Sequence, residues 1–296
     1  MTLLIILFDA LFGGTNTPLV KFTVAKLSPI TVVFGRFLLA AIFISPLAIK
    51  EKVFSGALFK RDLFFANLLF AANIIIFVNA ISHTSIIMAQ LLYLFNAPIV
   101  AIIGYFILKE KLIAKQIIGL ILALSGLLIL IEGSIRTKDV LSFGTPFGNS
   151  LVFLGVIAWS LYIVFSRKIS KIYSPLKLTF HNLIITTTLA LLLIPLDLQR
   201  YNLSPKLFTL GLVSALVALA LFSTVLFFLF YQWIIKYTSA FISSLVNYLA
   251  TLFAGLAGII FFGEKLNSNF IIGTTLLLIG VYFASGNHAL AKLSKN

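Results

Sequence analysis

The chain has 296 residues, 61% of them hydrophobic and 10% charged, with a formal net charge of +14 and no cysteine, and its mean hydropathy is +1.14. A soluble domain of this length needs a charged surface that such a composition cannot supply, so the chain reads as an all-α polytopic membrane protein. The missing thiols exclude disulfides, thiolate metal sites and cysteine catalysis, and the basic excess sits in short loops between apolar runs, where it signals topology and implies no nucleic-acid partner.

Ten apolar runs follow one another, at about 2–20, 29–49, 63–81, 85–107, 114–131, 147–166, 176–196, 207–235, 239–262 and 270–287. The first lacks a basic leading region and an A-x-A site and carries Asp9, so a retained helix is expected and not a cleaved signal. The second, around VVFGRFLLAA, places Arg36 in a span, where an arginine costs roughly 2.5–3.5 kcal/mol on insertion scales and needs something to offset it. With an even number of spans both termini share one side. Fourteen Lys and Arg fall in the segments that are cytoplasmic if the ends are inside, against seven in the opposite loops, so both termini are expected in the cytoplasm. The expected location is the inner (cytoplasmic) membrane of a bacterial cell, with the lipid bilayer as partner and a monomer as the working unit.

The later spans repeat the earlier ones. Residues 82–131 align without a gap on 236–285 with 13 identities in 50 positions, among them the pairs Gly104/Gly258, Glu110/Glu264 and Gly126/Gly280, which shared hydrophobicity does not explain. VKFTVAKLSP (20–29) likewise meets SRKISKIYSP (166–175). Two five-span repeats are therefore expected, one over 1–135 and one over 145–290. Because five is odd, the second enters the membrane in the opposite sense, and inverted repeats of this kind are a transporter signature.

The five-plus-five arrangement, FGRFLLAA in the second span, SIIMAQLLYLFNAPIVAIIGYFILKEKL at the fourth and QIIGLILALSGLLIL after it resemble the EamA-type transporters of the drug/metabolite transporter superfamily, over roughly residues 3–287. The resemblance implies secondary transport of small solutes such as amino acids, their analogues or nucleotide-linked metabolites, and it says little about which. Pro98 has Leu252 at its matching place, so a proline-dependent bend would be asymmetric.

Among the polar residues within spans, Asp9 and Arg36 lie about 8 Å apart along the membrane normal at ~1.5 Å per residue. Arg36 either lines a central cavity and binds a carboxylate or phosphate, with Asp9 as its resting partner or a proton acceptor, or is a structural arginine satisfied by an ion pair or by backbone carbonyls. Asn16 and Tyr162 occupy equivalent positions, as do Gly13 and Trp159. Gln90, Tyr93 and Asn96 face Ser244, Asn247 and Tyr248 across the repeat. These groups either wall a cavity or bond across helix interfaces. The candidate substrate-binding set is therefore Arg36, Asn16, Gln90, Tyr93, Asn96, Trp159, Tyr162, Asn247 and Tyr248, with Asp9 as the proton-coupling candidate and no metal or cofactor.

Asn73, Asn79 and Gln232 are further candidates without a rank, and Asn182 stands where the first half has Arg36. His181 reads as an interfacial hydrogen-bonding group, and His83 and His288 as bystanders. Glu110 and Glu264 read as helix caps or as partners of neighbouring lysines, and the seven-residue spacing of Gly119/Gly126 and Gly273/Gly280 marks a packing face.

The leading function is a secondary transporter that alternates access around a site between the repeats and moves a small anionic or zwitterionic metabolite, amino-acid-like among the possibilities. No glycine-rich phosphate loop is present, so ATP is not the driver. An intramembrane enzyme acting on a lipid or prenyl substrate is the alternative, but the clustered carboxylates or histidine pair that such chemistry uses are not in the sequence. A receptor or scaffold is disfavoured by the inverted repeat.

Overall fold

The computed structural model describes residues 2–53, 60–84, 86–136, 145–198, 209–253 and 268–291, and these are helical apart from turns and connections. In chain order the helices are α1 (Thr2–Val24), α2 (Pro29–Lys50), α3 (Arg61–His83), α4 (Ile86–Tyr93), α5 (Asn96–Leu108), α6 (Ala114–Arg136), α7 (Pro146–Ile169) and α8 (Pro175–Leu198). There follow α9 (Leu210–Ala220), a π-helical turn (Leu221–Leu226), α10 (Phe227–Tyr237), α11 (Ala240–Ser244), α12 (246–253) and α13 (Ser268–Ala291). At ~1.5 Å per residue the 22–24-residue helices are about 33–36 Å long, enough for a hydrocarbon core of about 30 Å. Their starts are set locally: Ser28, Thr145, Thr209 and Ser239 each accept a backbone N–H of the first turn, and Pro29 and Pro146 occupy first-turn positions, where a missing N–H is harmless.

Three spans depart from the uninterrupted helices expected from the sequence. The fourth is split into α4 and α5 at Leu94–Phe95, the eighth carries the π turn between α9 and α10, and the ninth breaks at Leu245 between α11 and α12. Pro98 explains the first break, since it has no N–H to return to the carbonyl of Leu94, and Phe95 N–H turns tightly to the Leu92 carbonyl at 3.2 Å. The ninth span breaks without a proline, through tight bonds from Leu245 N–H to the Ile242 carbonyl (3.2 Å) and from Tyr248 N–H to the Leu245 carbonyl (3.1 Å). The expected asymmetry of bending is therefore only partial, because both halves interrupt this span near its middle.

The repeat is visible in the bonding. Ser28 Oγ accepts Thr31 N–H at 3.2 Å, and 146 residues later Ser174 Oγ accepts Lys177 N–H at the same 3.2 Å. Lys21 Nζ donates to the carbonyl of Ile81, while Arg167, again 146 on, donates to that of Ile235, 154 on from Ile81. Packing follows the same exchange of halves: α3 lies on α7 as α1 lies on α9 and α10, while α2 packs on α8, its own counterpart, and α6 on α13. With an odd number of spans in each half, these counterparts run in opposite senses across the bilayer.

Polarity is distributed for a lipid solvent. Asp9, Arg36, Asn67, Asn73, Asn96, Asn182 and Gln232 are buried, whereas Leu210, Phe106, Leu192 and Leu196 stand exposed. A water-facing exterior would not carry so many large apolar side chains, and hydrocarbon accepts them at no cost.

The expected glycine packing face is the α6–α13 contact. A Cβ on Gly119 would collide with the backbone nitrogen of Ala284, and one on Gly126 with that of Leu277. Gly126→Ala should cost about 1–3 kcal/mol, as overpacking does in other cores, and lower the thermal midpoint measured in detergent by tryptophan fluorescence or light scattering. Gly104→Ala, whose added Cβ meets nothing within 4 Å, should leave it unchanged.

Candidate functional site

Arg36 occupies the middle of the structure's polar interior and is 2% exposed. Its Nε donates to Thr224 Oγ1 and its Nη2 to the Ser223 carbonyl, both at 2.6 Å. Both acceptors belong to the π turn, where Thr224 Oγ1 itself reaches back to the Leu219 carbonyl at 2.7 Å. In a regular α-helix the Ser223 carbonyl would be engaged by the residue four further on. The widened turn leaves it able to meet the guanidinium. Two hydrogen bonds to a charged group, at about 1.5–3 kcal/mol each, are enough to offset the insertion cost of the arginine. The Phe37 ring lies 5.3 Å from the guanidinium carbon and adds a weaker attraction.

Asp9 is not the resting partner of Arg36. It is fully buried on α1, and neither of its oxygens has a hydrogen-bond partner among the described residues. The sequence offset along the normal allowed contact, but the π turn offers nearer acceptors, and the guanidinium is turned towards them.

Beside Arg36 lies a cavity of about 90 Å³, room for several waters at roughly 10–15 Å³ each. Helices of both halves wall it. Gly13, Asn16 and Thr17 come from α1, Asn73 and Phe77 from α3, Gln90 and Tyr93 from α4, Trp159 from α7, Ser223, Phe227 and Phe228 from the eighth span, and Asn247 and Ala250 from α12. Arg36 Nη1 makes no hydrogen bond to the described residues, and neither do Asn16 Oδ1 and Trp159 Nε1.

The wall is tied across helices. Gln90 donates to Thr17 Oγ1 at 3.3 Å and accepts from Thr251 Oγ1 at 2.8 Å, joining α4 to α1 and α12. Asn73 Nδ2 donates to Tyr93 Oη (3.0 Å) and to the Gly155 carbonyl (2.8 Å). Aromatic rings complete it, with Trp159 stacked on Tyr231 at 5.2 Å and Phe77 edge-on to Tyr93 at 5.4 Å.

Six of the nine candidate substrate-binding residues, Arg36, Asn16, Gln90, Tyr93, Trp159 and Asn247, thus meet at one cavity. The other three stand behind its lining. Asn96 is fully buried, donates to Ser160 Oγ and accepts from Asn247 Nδ2, both at 2.9 Å. Tyr162 Oη accepts from Asn182 Nδ2 at 2.5 Å and from Gln232 Nε2. Tyr248 Oη donates to the Leu94 carbonyl at 2.6 Å, the carbonyl that Pro98 leaves without its helical donor, so one half's ninth span repairs the break in the other half's fourth.

Of the remaining candidates, Asn79 Nδ2 donates to the Ile75 carbonyl of its own helix, and His181 Nδ1 lies 2.7 Å from the Lys177 carbonyl, one turn back. Glu110 does act as a cap, accepting Ala240 N–H at 3.2 Å, and its ionic partner among the described residues is Arg167 of the other half, at 3.5 Å, instead of a neighbouring lysine. Glu264 and His288 lie outside the residues whose side chains are described. Sequence reading missed Thr17, Phe77, Ser223, Thr224, Phe227 and Phe228. Threonines and phenylalanines in apolar runs carry no signal of which of them face a cavity.

Comparison with known proteins agrees with this architecture. The model of the EamA-like transporter family matches residues 1–132 and again 146–286. The Uncharacterized transporter YyaM of Bacillus subtilis (strain 168) is 29% identical over 283 residues, covering 94% of this chain and 91% of that protein. An uncharacterized transporter of Clostridium kluyveri is 27% identical over 282 residues, covering 93% and 90%. A protein of known crystal structure superposes with a TM-score of 0.78 at 16% identity, covering 96% of each chain, which shows a shared fold.

Tyr248→Phe keeps the ring and removes the donor to Leu94, leaving a buried carbonyl unpaired. A loss of about 1–3 kcal/mol is expected, read as a lower unfolding midpoint in detergent. Tyr105→Phe, on the exposed face of α5, should leave the midpoint where it was.

Proposed function

The chain belongs to the EamA-like transporter family, and on that premise we propose that it is a secondary transporter carrying a small anionic or zwitterionic solute, amino-acid-like in its charged groups, by alternating access around the cavity beside Arg36. The observation that carries this reading is a guanidinium with no carboxylate partner among the described residues, set at a cavity where helices of both halves converge. Its Nε and one Nη2 proton are held by the π turn, which orients the group, while Nη1 remains for an anion. An anionic group of the solute supplies the charge that Asp9 does not. Asn16, Gln90, Asn247 and the Trp159 indole N–H offer hydrogen bonds to its polar groups, and the rings of Phe77, Tyr93, Trp159, Phe227 and Phe228 offer apolar contact.

Asp9, an acid buried within a span, is the candidate for proton coupling. The protein lies in the bacterial cytoplasmic membrane with both termini inside, as the distribution of Lys and Arg supports, and works as a monomer because two five-span halves complete the cavity within one chain.

Uptake into proteoliposomes over an amino-acid and nucleotide panel, with and without a pH gradient, tests the proposal. Arg36→Ala should lower uptake by roughly 10- to 100-fold, the loss expected when a charged hydrogen bond is removed, with the variant still monodisperse in detergent. Arg36→Lys should retain part of the rate, having the charge without the planar fork. Wild-type rates in Arg36→Ala would take Arg36 out of the mechanism, and a response to the pH gradient that persists in Asp9→Asn would take Asp9 out of the coupling.

A further inference from the structure

The two repeat offsets pair some residues of the cavity wall with one another, as Gly13 with Trp159 and Tyr93 with Asn247, and others with residues behind it. The offset of 146 relates Gly13, Asn16 and Arg36 to Trp159, Tyr162 and Asn182, and it holds in three dimensions at the Ser28 and Ser174 caps. Two of these counterparts, Tyr162 and Asn182, join Gln232 and Ser166 in one cluster. Tyr162 Oη accepts from the amides of Asn182 and Gln232, and Gln232 Oε1 accepts from Ser166 Oγ at 2.8 Å. All four residues are 1% exposed, and Asn182 Oδ1 has no partner among the described residues.

This cluster adjoins, through consecutive residues Ser166 and Arg167, an ion pair that crosses between the halves. Arg167, next to Ser166, donates through Nη1 to the carbonyls of Ile235 and Lys236 at 2.9 and 2.5 Å, which ties it to the end of α10 in its own half. Its Nε lies 3.5 Å from Glu110 Oε1, at the end of α5 in the other half, and Glu110 Oε2 accepts Ala240 N–H at the start of α11. At the opposite end of the bundle Lys21, the counterpart of Arg167, holds the Ile81 and Thr84 carbonyls at 2.7 and 2.9 Å. In each half, then, the basic residue is anchored to the end of the third span of its own repeat. The side chains of Arg167 and Glu110 are 20% and 27% exposed, so the pair is partly solvated, and such pairs are weak enough to break and re-form.

Two inverted halves that exchange conformations also exchange roles, so the counterparts of the present wall become the wall of the opposite-facing state. Resting on the alternating-access reading above, we infer that Tyr162, Ser166, Asn182 and Gln232 are the wall of the solute pathway in that state, held shut here by the Glu110–Arg167 pair. Asn182 stands where the first half has Arg36, so this wall holds the solute by hydrogen bonds without a guanidinium. The solute is gripped by charge at one face and released from an uncharged one at the other.

The chain has no cysteine, so single reporters can be read cleanly. Ser166→Cys reports on the closed cluster and Ala250→Cys on the present cavity, each labelled with N-ethylmaleimide in detergent and followed by mass. With the native pair, Ala250→Cys should label faster. Adding Glu110→Gln, or in a separate protein Arg167→Gln, should accelerate Ser166→Cys on the order of tenfold, the size of a typical coupling between states, while Ala250→Cys slows or stays unchanged. Labelling of Ser166→Cys that fails to accelerate in either background overturns the inference, and so does acceleration of both reporters together, which marks general loosening. The readout needs neither solute nor transport, so it can fail while Arg36-dependent uptake stands, and it remains legible if Arg36 proves dispensable.

Discussion

A guanidinium within a membrane span has to be given acceptors, and in this protein the eighth span provides them by widening into a π turn. Arg36 is held at 2.6 Å by Thr224 Oγ1 and by the Ser223 carbonyl, acceptors that a regular helix would not offer together. Much else depends on this contact. It joins α2 of the first half to the eighth span of the second, fixes the direction of the guanidinium, and leaves the cavity beside it with a positive charge that Asp9 does not neutralise.

The interior around that contact is built from interrupted helices whose backbone groups are satisfied by the opposite half. The carbonyl that Pro98 strips of its donor is bonded by Tyr248, and the N-terminus of α11 is capped by Glu110. In hydrocarbon an unpaired backbone group costs several kcal/mol, so breaks are tolerated only where another helix answers them. The same breaks bring Gln90, Tyr93 and Asn247 to the cavity, and Asn96 ties Asn247 to Ser160 behind it. The two halves are alike in path and unlike in chemistry: Arg36 has Asn182 at the equivalent position, Lys21 has Arg167, and Asn16 has Tyr162. A symmetric backbone with asymmetric side chains can expose two different surfaces to one solute.

Six of the candidate binding residues were legible as polar groups within apolar runs, because a polar side chain there must meet another polar group or a cavity. Tyr162, Tyr248 and Asn96 satisfied the same criterion yet stand behind the lining. Helical periodicity places a residue on a face of its own helix and says nothing of which neighbour that face meets. Ser223 and Thr224 were invisible for a different reason: a Ser-Thr pair in an apolar run costs little and is common in spans, and nothing in LFSTVL marks a π turn.

The amino-acid sequence alone determined the class, the ten spans, the repeat and its inversion, since these follow from hydrophobic length, the parity of five and residues matched at constant offsets. It also singled out Arg36 as the charge that had to be explained. Tertiary structure decided what satisfies that charge. It sent Arg36 to the eighth span and left Asp9 without a hydrogen-bond partner among the described residues, and it joined Glu110 to Arg167, 57 positions away in sequence. Hydrophobicity acts through composition and can be read along a chain, whereas a hydrogen bond depends on distances of a few tenths of an ångström that only the packed helices set.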